Sequence, residues 1–267
     1  MIKSILIANR GEIACRIIRT AKKLGIKSYV IYSTEDESSL AVKLADKAFL
    51  LKSTYSEKKE YLDGEQIIRI AQKNKIEAIH PGYGFLSENS NFAKLVEDNG
   101  IKFIGPPYSA IEIMGDKIIS KKHAKNIDVS TIPGLQDEIK SYEDAIKAAD
   151  KIGFPLMIKA SAGGGGKGMR IVREKKELKD NFKSAKNEAE TSFGDSRVFI
   201  EKFIEEPRHI EIQIVGDQFG NYLHLGERDC SIQRRNQKII EESPSPFIDT
   251  KIRDLMAGQA IALAKSV

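Results

Sequence analysis

Apolar and polar residues change rhythm three times along the chain. The first part carries short, unbroken apolar runs, Ile5-Leu6-Ile7-Ala8 and Tyr29-Val30-Ile31-Tyr32, each a predicted strand. Between them Ile13, Ile17, Ile18 and Leu24 recur at helical spacing, with Gly25 placed to end the helix. The same reasoning predicts a helix over 65–75 and a strand over 76–79 that enters His80-Pro81-Gly82-Tyr83-Gly84. A further strand over 102–104 is stopped by Gly105-Pro106-Pro107. Strands that alternate with helices build a parallel sheet, so an open, doubly wound α/β unit is expected here.

In the middle, Ser141 is placed to cap a helix with Asp144 at its third position, and Gly153 ends it. Pro155 to Ala160 reads as a strand, followed by a glycine-rich loop, a strand over 169–172 and a long helix over 175–190. The last part is antiparallel in character. Ile210, Ile212 and Ile214 face one side, and His209, Glu211 and Gln213 the other. Gly216 to Asn221 then reads as a hairpin loop leading to Tyr222-Leu223-His224-Leu225. Ile252, Met256, Ala260, Leu263 and Val267 mark a helix face expected to run uncapped to the last residue.

Composition removes several classes. No apolar run is long enough for a membrane span, and the opening apolar stretch is too short for a secretory signal. Two cysteines in 267 residues cannot make a disulfide framework, which points to a reducing, cytosol-like compartment. The net charge of +5 raises nucleic-acid binding as a candidate. The charges are interspersed, however, as in Glu174-Lys175-Lys176-Glu177, and there is no Trp to stack on bases, so that role is disfavoured.

The strongest local signal is Ser161-Ala162-Gly163-Gly164-Gly165-Gly166-Lys167-Gly168. Glycines let backbone N–H groups converge on an anion. The P-loop pattern fails, because its first glycine falls on Ser161, Gly168 follows the lysine, and a strand comes next. The dinucleotide fingerprint fails because no helix opens from the loop. Strand, glycine loop, strand remains: a lid over phosphates, or a flexible linker. Lys159 sits in an apolar strand and needs an acidic partner, a role nucleotide phosphates would fill, unless its head snorkels to water. From Glu227 to Glu242 charges are dense, and in extended geometry Arg234, Asn236 and Lys238 would share one face suited to bicarbonate, phosphate or carboxylate. A charged sheet edge is the bland alternative. Cys230 has no zinc-ligand spacing around it and is expected to be a buried, inert thiol. His80 and His224 are expected to be packing or turn residues.

Together the motifs Ile7-Ala-Asn-Arg-Gly-Glu-Ile-Ala14, His80-Pro-Gly-Tyr-Gly-Phe-Leu-Ser-Glu-Asn89 and Met114-Gly-Asp-Lys117 resemble the biotin carboxylase component of biotin-dependent acyl-CoA carboxylases, an ATP-grasp family. So do Lys159-Ala-Ser-Ala-Gly-Gly-Gly-Gly-Lys-Gly-Met169, Pro207-Arg-His-Ile-Glu-Ile-Gln213 and Glu227-Arg-Asp-Cys-Ser-Ile-Gln-Arg-Arg-Asn-Gln-Lys238. Ala14-Cys15-Arg16, Thr131-Ile132-Pro133-Gly134 and the Asn at 236, where the acetyl-CoA branch usually has His, lean toward the propionyl-CoA carboxylase alpha branch.

The resemblance implies a Rossmann-like pre-ATP-grasp domain followed by an incomplete ATP-grasp (α+β) domain with a glycine-rich lid. Its boundaries would be 1–115, a helical linker over 116–135, the lid over 136–203 and the start of the catalytic core over 204–267. It implies ATP-dependent phosphorylation of bicarbonate to carboxyphosphate and carboxylation of biotin N1, with Mg²⁺ or Mn²⁺. Lys117 and Lys159 would contact the ATP phosphates under the Gly163, Gly164, Gly165 and Gly166 loop. Met169, Glu201, Lys202 and Ile204 would hold the nucleotide, the last three at the adenine hinge. His209 and Gln233 would line the ribose pocket beside Asn236, and Lys238 would hold bicarbonate. Implied partners are a biotin carboxyl carrier domain, a carboxyltransferase component and a second copy of the subunit, with no nucleic acid or membrane. The implied location is cytoplasm or mitochondrial matrix. The metal carboxylates are expected beyond Val267, so the chain reads as C-terminally truncated and inactive alone. Another ATP-grasp carboxylate or carbamate ligase, or a non-catalytic nucleotide-binding module, are the alternatives.

Overall fold

The computed structural model describes residues 2–52, 57–135, 137–162 and 168–267. The Gly163 to Gly166 stretch named above lies outside the described residues. The chain divides into two compact units, Met1–Glu112 and Ile113–Val267.

In the first unit, β1 (Ser4–Ile7), α1 (Gly11–Lys23), β2 (Lys27–Tyr32), α2 (Leu40–Leu44) and β3 (Lys47–Leu50) are followed by α3 (Gly64–Lys73), β4 (Ala78–His80), α4 (Ser90–Asp98) and β5 (Lys102–Phe103). The five strands form one parallel sheet in the order β3-β2-β1-β4-β5. β1 is buried along its whole length because both its faces are covered. Leu6 and Ala8 pack with Ile67, Ile68 and Phe92 from α3 and α4. Ile5 and Ile7 pack with Ile17 and Ile18 of α1 on the other face. The doubly wound expectation therefore holds, with the strand expected over 76–79 shifted to 78–80 and β3 added to those foreseen.

The chain reverses strand order at β1 and β4, where their C-terminal ends are tied together. Asn9 Nδ2 donates to the carbonyls of Pro81 at 2.7 Å and Tyr83 at 2.8 Å. His80 is a turn residue, its Nδ1 accepting from the Gly82 N–H at 3.0 Å. Next to this corner Arg10 pairs with Asp36, which also accepts from the Tyr61 hydroxyl at 2.6 Å. Burial and that carboxylate push the Tyr61 phenol up to about 12.

The division between units falls inside α5 (Tyr108–Gly115). The second unit continues with α6 (Lys117–Asn126), α7 (Tyr142–Ile152), β6 (Leu156–Ala160), β7 (Met169–Val172), α8 (Leu178–Phe193) and β8 (Val198–Lys202). Then come β9 (Ile210–Gly216), β10 (Tyr222–Arg234), β11 (Gln237–Glu242) and α9 (Thr250–Lys265). Ser141 caps α7 as expected, accepting from the Asp144 N–H at 3.1 Å. Leu156, Ile158 and Ala160 pack with α7 and α8, which leaves Met157 and Lys159 on the opposite face of the antiparallel sheet β7-β6-β8. Residues 133–135 run beside β8: Lys202 N–H donates to Pro133 O at 2.8 Å and Leu135 N–H to Ile200 O at 3.0 Å. Gly134 allows this approach, since a Cβ there would stand 2.7 Å from Ile200 O.

The second sheet is antiparallel in the order β11-β10-β9. Two expectations are corrected in this region. Residues 227–242 are not one extended segment: Arg235 and Asn236, with φ of 50° and 65°, turn the chain back so that Arg234 pairs with Gln237 and Gln233 with Lys238. Arg234, Asn236 and Lys238 therefore do not share a face. Two successive positive-φ residues make the tight hairpin, and Asn supplies one of them without glycine. The final helix is capped: α9 ends at Lys265, and Ser266 returns its N–H and hydroxyl to Leu263 O at 3.1 and 2.7 Å.

Candidate active site

Two charged clusters occupy the second unit, and between them they hold most of the nominated residues. The first is built on the exposed-side positions of β6 and β8. Antiparallel register sets Met157 opposite Glu201 and Lys159 opposite Phe199. Glu201 is 4% exposed and takes two ammonium groups, from Lys159 and, at 2.8 Å, from Lys121 of α6. Lys121 also lies over the Phe199 ring, 5.4 Å from its centroid. The acidic partner that Lys159 needed is thus present in the chain itself, 42 positions away. Met169 pairs with Lys159 from β7 and lines the same part of the sheet.

Lys117 opens α6 on the end of β6, its N–H donating to Ser161 O at 3.2 Å. Burial and the neighbouring charge of Lys159 together hold the Lys117 ammonium below its ordinary pKa. Asp116 caps the helix: its Oδ1 accepts from the N–H groups of Ile118 and Ile119 at 2.9 and 3.0 Å and from Ser161 Oγ at 2.9 Å. Its Oδ2 accepts from Arg197 Nη2 at 2.8 Å, and Arg197 is gripped in turn by Asp195. Burial opposes the Asp116 carboxylate, but these bonds outweigh it and hold its pKa below the usual range. Lys202 turns to the other side of β8 and donates to Phe154 O at 2.8 Å, so its side chain is committed to the fold. Ile204 is 44% exposed just past the strand.

The second cluster sits on one face of β9, β10 and β11. Glu211 is its centre, accepting Arg228 Nε at 2.6 Å through Oε1 and Lys238 Nζ at 2.5 Å through Oε2. His209 Nε2 stands 3.6 Å from Glu211, and Gln233 Nε2 lies 2.7 Å from His209 Nδ1. Gln233 also donates to Cys230 O at 2.8 Å. Burial penalises the Glu211 carboxylate, yet Lys238 and Arg228 prevail and depress its pKa. The bond to Glu211 raises the Lys238 ammonium correspondingly. The Cys230 thiol is fully buried and its pKa is pushed up by that burial, as expected of an inert thiol. His209, Gln233 and Lys238 are therefore brought together, while Asn236 stands apart at the hairpin tip.

Sequence reasoning missed Glu211, Lys121, Asp116, Arg197 and Arg228 as members of these clusters. Glu211 alternates with His209 and Gln213, and Asp116 and Arg228 stand inside the Met114–Lys117 and Glu227–Lys238 motifs, so these three carried a signal. The others are assembled by strand register and helix packing.

Glu211, Cys230 and Glu241 place one ligand atom each within 4.8 Å of one another. Mg²⁺ requires oxygen ligands in octahedral array. One of these three atoms is a thiol, and Lys238 already lies 2.5 Å from Glu211 and 3.8 Å from Glu241. The set does not fit Mg²⁺. An open cavity of about 320 Å³ beside α6 is lined by Lys121, Lys125, Thr131 and Gly134 and takes in none of the nominated residues.

Residues 1–111 match the family described as "Biotin carboxylase, N-terminal domain", and residues 116–267 match "Carbamoyl-phosphate synthase L chain, ATP binding domain". The propionyl-CoA carboxylase alpha chain of Ruegeria pomeroyi is 54% identical over all of this chain, which spans 39% of that relative. The pyruvate carboxylase of Staphylococcus aureus is 51% identical over 266 residues, 23% of its length. Among solved structures, the biotin carboxylase domain dimer of Hydrogenobacter thermophilus 2-oxoglutarate carboxylase, in complex with MgADP, ADP and bicarbonate, is 48% identical with a TM-score of 0.95. That match covers 99% of this chain and 58% of the other.

Proposed function

The chain belongs to the biotin carboxylase family, and from that premise we propose that it supplies the nucleotide-phosphate and bicarbonate groups of an enzyme that carboxylates biotin with ATP. In that reaction a bicarbonate oxygen attacks the γ-phosphorus of ATP and ADP departs. The resulting carboxyphosphate passes its carboxyl carbon to biotin N1, whose proton is taken up by the departing phosphate.

The observation that carries this reading is the convergence of Lys159 and Lys121 on the single buried carboxylate of Glu201, with the Lys117 ammonium close enough to feel the charge of Lys159. Cationic charge in excess of its counter-charge, partly withdrawn from water, suits a polyphosphate. Phosphoryl transfer depends on positioning and charge neutralisation more than on covalent chemistry by the protein. Met169, Glu201 and Ile204, with the backbone at Lys202, would border the nucleoside. His209 and Gln233 would face the ribose. Lys238 is assigned to bicarbonate: its ammonium is kept charged by Glu211, and Arg228 on the same carboxylate keeps that acid ionised.

We assign 1–115 to the pre-ATP-grasp part, 116–135 to a linker, 136–203 to the lid and 204–267 to the beginning of the catalytic core. Because the Glu211, Cys230 and Glu241 group does not fit Mg²⁺, residues 1–267 alone should not turn over; ATP hydrolysis by them would refute this. The likeness to a propionyl-CoA carboxylase supports propionyl-CoA as the eventual acceptor, with acetyl-CoA second, reached through a biotin carrier domain and a carboxyltransferase. The domain dimer of the solved relative supports a homo-oligomer. A cytoplasmic or mitochondrial-matrix setting accords with such partners.

The test is ATP hydrolysis by the full-length protein, measured with and without bicarbonate and free biotin. Dependence on both is expected, and Lys238→Ala should lower the rate by about 10²–10³, the usual cost of removing a charge-stabilising donor. Hydrolysis indifferent to both would overturn the reading and favour another ATP-grasp ligase.

A further inference from the structure

Capping explains only half of what Asp116 does. A helix N-cap needs one side-chain oxygen on the N–H groups of the first turn, and Oδ1 provides it. Oδ2 is engaged separately by Arg197, whose side chain is 41% exposed and whose guanidinium is held in place by bonds to Asp195 at 2.6 to 3.1 Å. A half-buried arginine fixed by two carboxylates costs side-chain entropy. Its place in the fold suggests what it is for. Ser161 joins the same group three ways: its hydroxyl donates to Asp116, its carbonyl accepts the Lys117 N–H, and its N–H donates to Arg197 O at 2.8 Å.

Ser161 follows Lys159 by two residues, just past the end of β6. The backbone of Lys117 is therefore pinned to the chain two residues beyond Lys159. Two ammonium groups held this way repel each other, and without a restraint the first turn of α6 would relax away from β6. The restraint itself is balanced, since Asp116 and Asp195 offset Arg197 and Lys117. The charge left over at Lys159 and Lys121 exceeds that of Glu201.

We propose that Asp116, anchored by Arg197 and Asp195, is a positioning residue that holds Lys117 beside Lys159 so that both lysines engage one polyphosphate chain. The inference rests on the nucleotide reading above and specifies how that site is kept assembled. It concerns the phosphate end of the ligand only. The nucleoside end is bordered by residues that Asp116 does not touch.

The experiment is titration calorimetry of the full-length protein with ATP, inorganic tripolyphosphate and adenosine, on Asp116→Asn, Arg197→Met, Arg197→Lys, Lys117→Ala and Lys159→Ala. Asp116→Asn and Arg197→Met are each expected to weaken ATP and tripolyphosphate about tenfold while adenosine affinity stays within twofold. Arg197→Lys, which keeps the charge, should recover most of the loss. Unchanged tripolyphosphate affinity in both latch variants, with Lys117→Ala weakened, would overturn the proposal and leave the nucleotide site standing. Parallel loss of adenosine and tripolyphosphate would make Asp116 a stability residue only, which also overturns it. If Lys117→Ala and Lys159→Ala both bind tripolyphosphate as the natural protein does, or the natural protein binds none, the nucleotide reading itself fails.

Discussion

Replacing Glu201 by glutamine keeps the side chain's size and removes its charge from between Lys121 and Lys159. The carboxyl group is buried, and the two lysine side chains it serves are 15% and 23% exposed. Removing one partner of a fully buried ion pair costs about 3–5 kcal/mol, because the other charge is left uncompensated. Here both ammonium groups retain some water and the amide oxygen still accepts one hydrogen bond, which reduces the cost to roughly 2–3 kcal/mol. Urea unfolding at pH 7 should show this as a lower midpoint with an unchanged slope, and thermal unfolding as a fall of about 5–10 °C. Anion binding should move the opposite way. A unit charge about 6 Å away contributes ~3 kcal/mol at an effective dielectric near 20, and screening at the open side lowers that to ~1 kcal/mol. Tripolyphosphate should thus bind about fivefold more tightly to Glu201→Gln. A variant as stable as the natural protein, with unaltered tripolyphosphate affinity, would refute the account of Glu201 as the counter-charge of this pocket.

Three further outcomes follow from the second unit. Glu227, 2% exposed, is held at about 2 by its bonds from Arg253. Its folded pKa lies below the unfolded value, so its contribution of roughly 2–3 kcal/mol is full above about pH 4.5 and is lost as pH falls toward 2. The stability gap between the natural protein and Glu227→Gln, read from urea midpoints, should therefore be largest at neutral pH and close in acid. Gly134→Ala places a Cβ 2.7 Å from Ile200 O and should cost about 1–3 kcal/mol by the same measurement, the usual range for overpacking. At Asn236, with φ of 65°, substitution by Val should cost roughly 1–2 kcal/mol, whereas Gly should be tolerated; equal midpoints for the two variants would contradict the hairpin turn.

The parallel sheet was legible because strands covered on both faces must be apolar throughout, as Ile5-Leu6-Ile7 is. The cap at Ser141 was legible because it is made between residues three apart. The hairpin at Arg235 and Asn236 was not, since neither residue is glycine and the flanking charges read as one extended face. The lysines of the pocket could be nominated one by one, but Lys159 meets Glu201 only through the register of β6 against β8. Arg197 was invisible for the same reason: it reaches Asp116 across 81 positions of chain.

The run of residues 133–135 along β8 has a consequence beyond local stability. A strand at the border of a sheet offers unpaired N–H and C=O groups to any other extended chain, and native proteins cover such borders. Here the segment answers the backbone groups of Ile200 and Lys202, with Ile139 donating to Val198 farther along, over a strand whose sequence is Val198-Phe199-Ile200. Its detachment would expose an apolar template for pairing between molecules. Variants that loosen it, Gly134→Ala first among them, should aggregate during refolding at concentrations where equally destabilised variants elsewhere in the second unit do not.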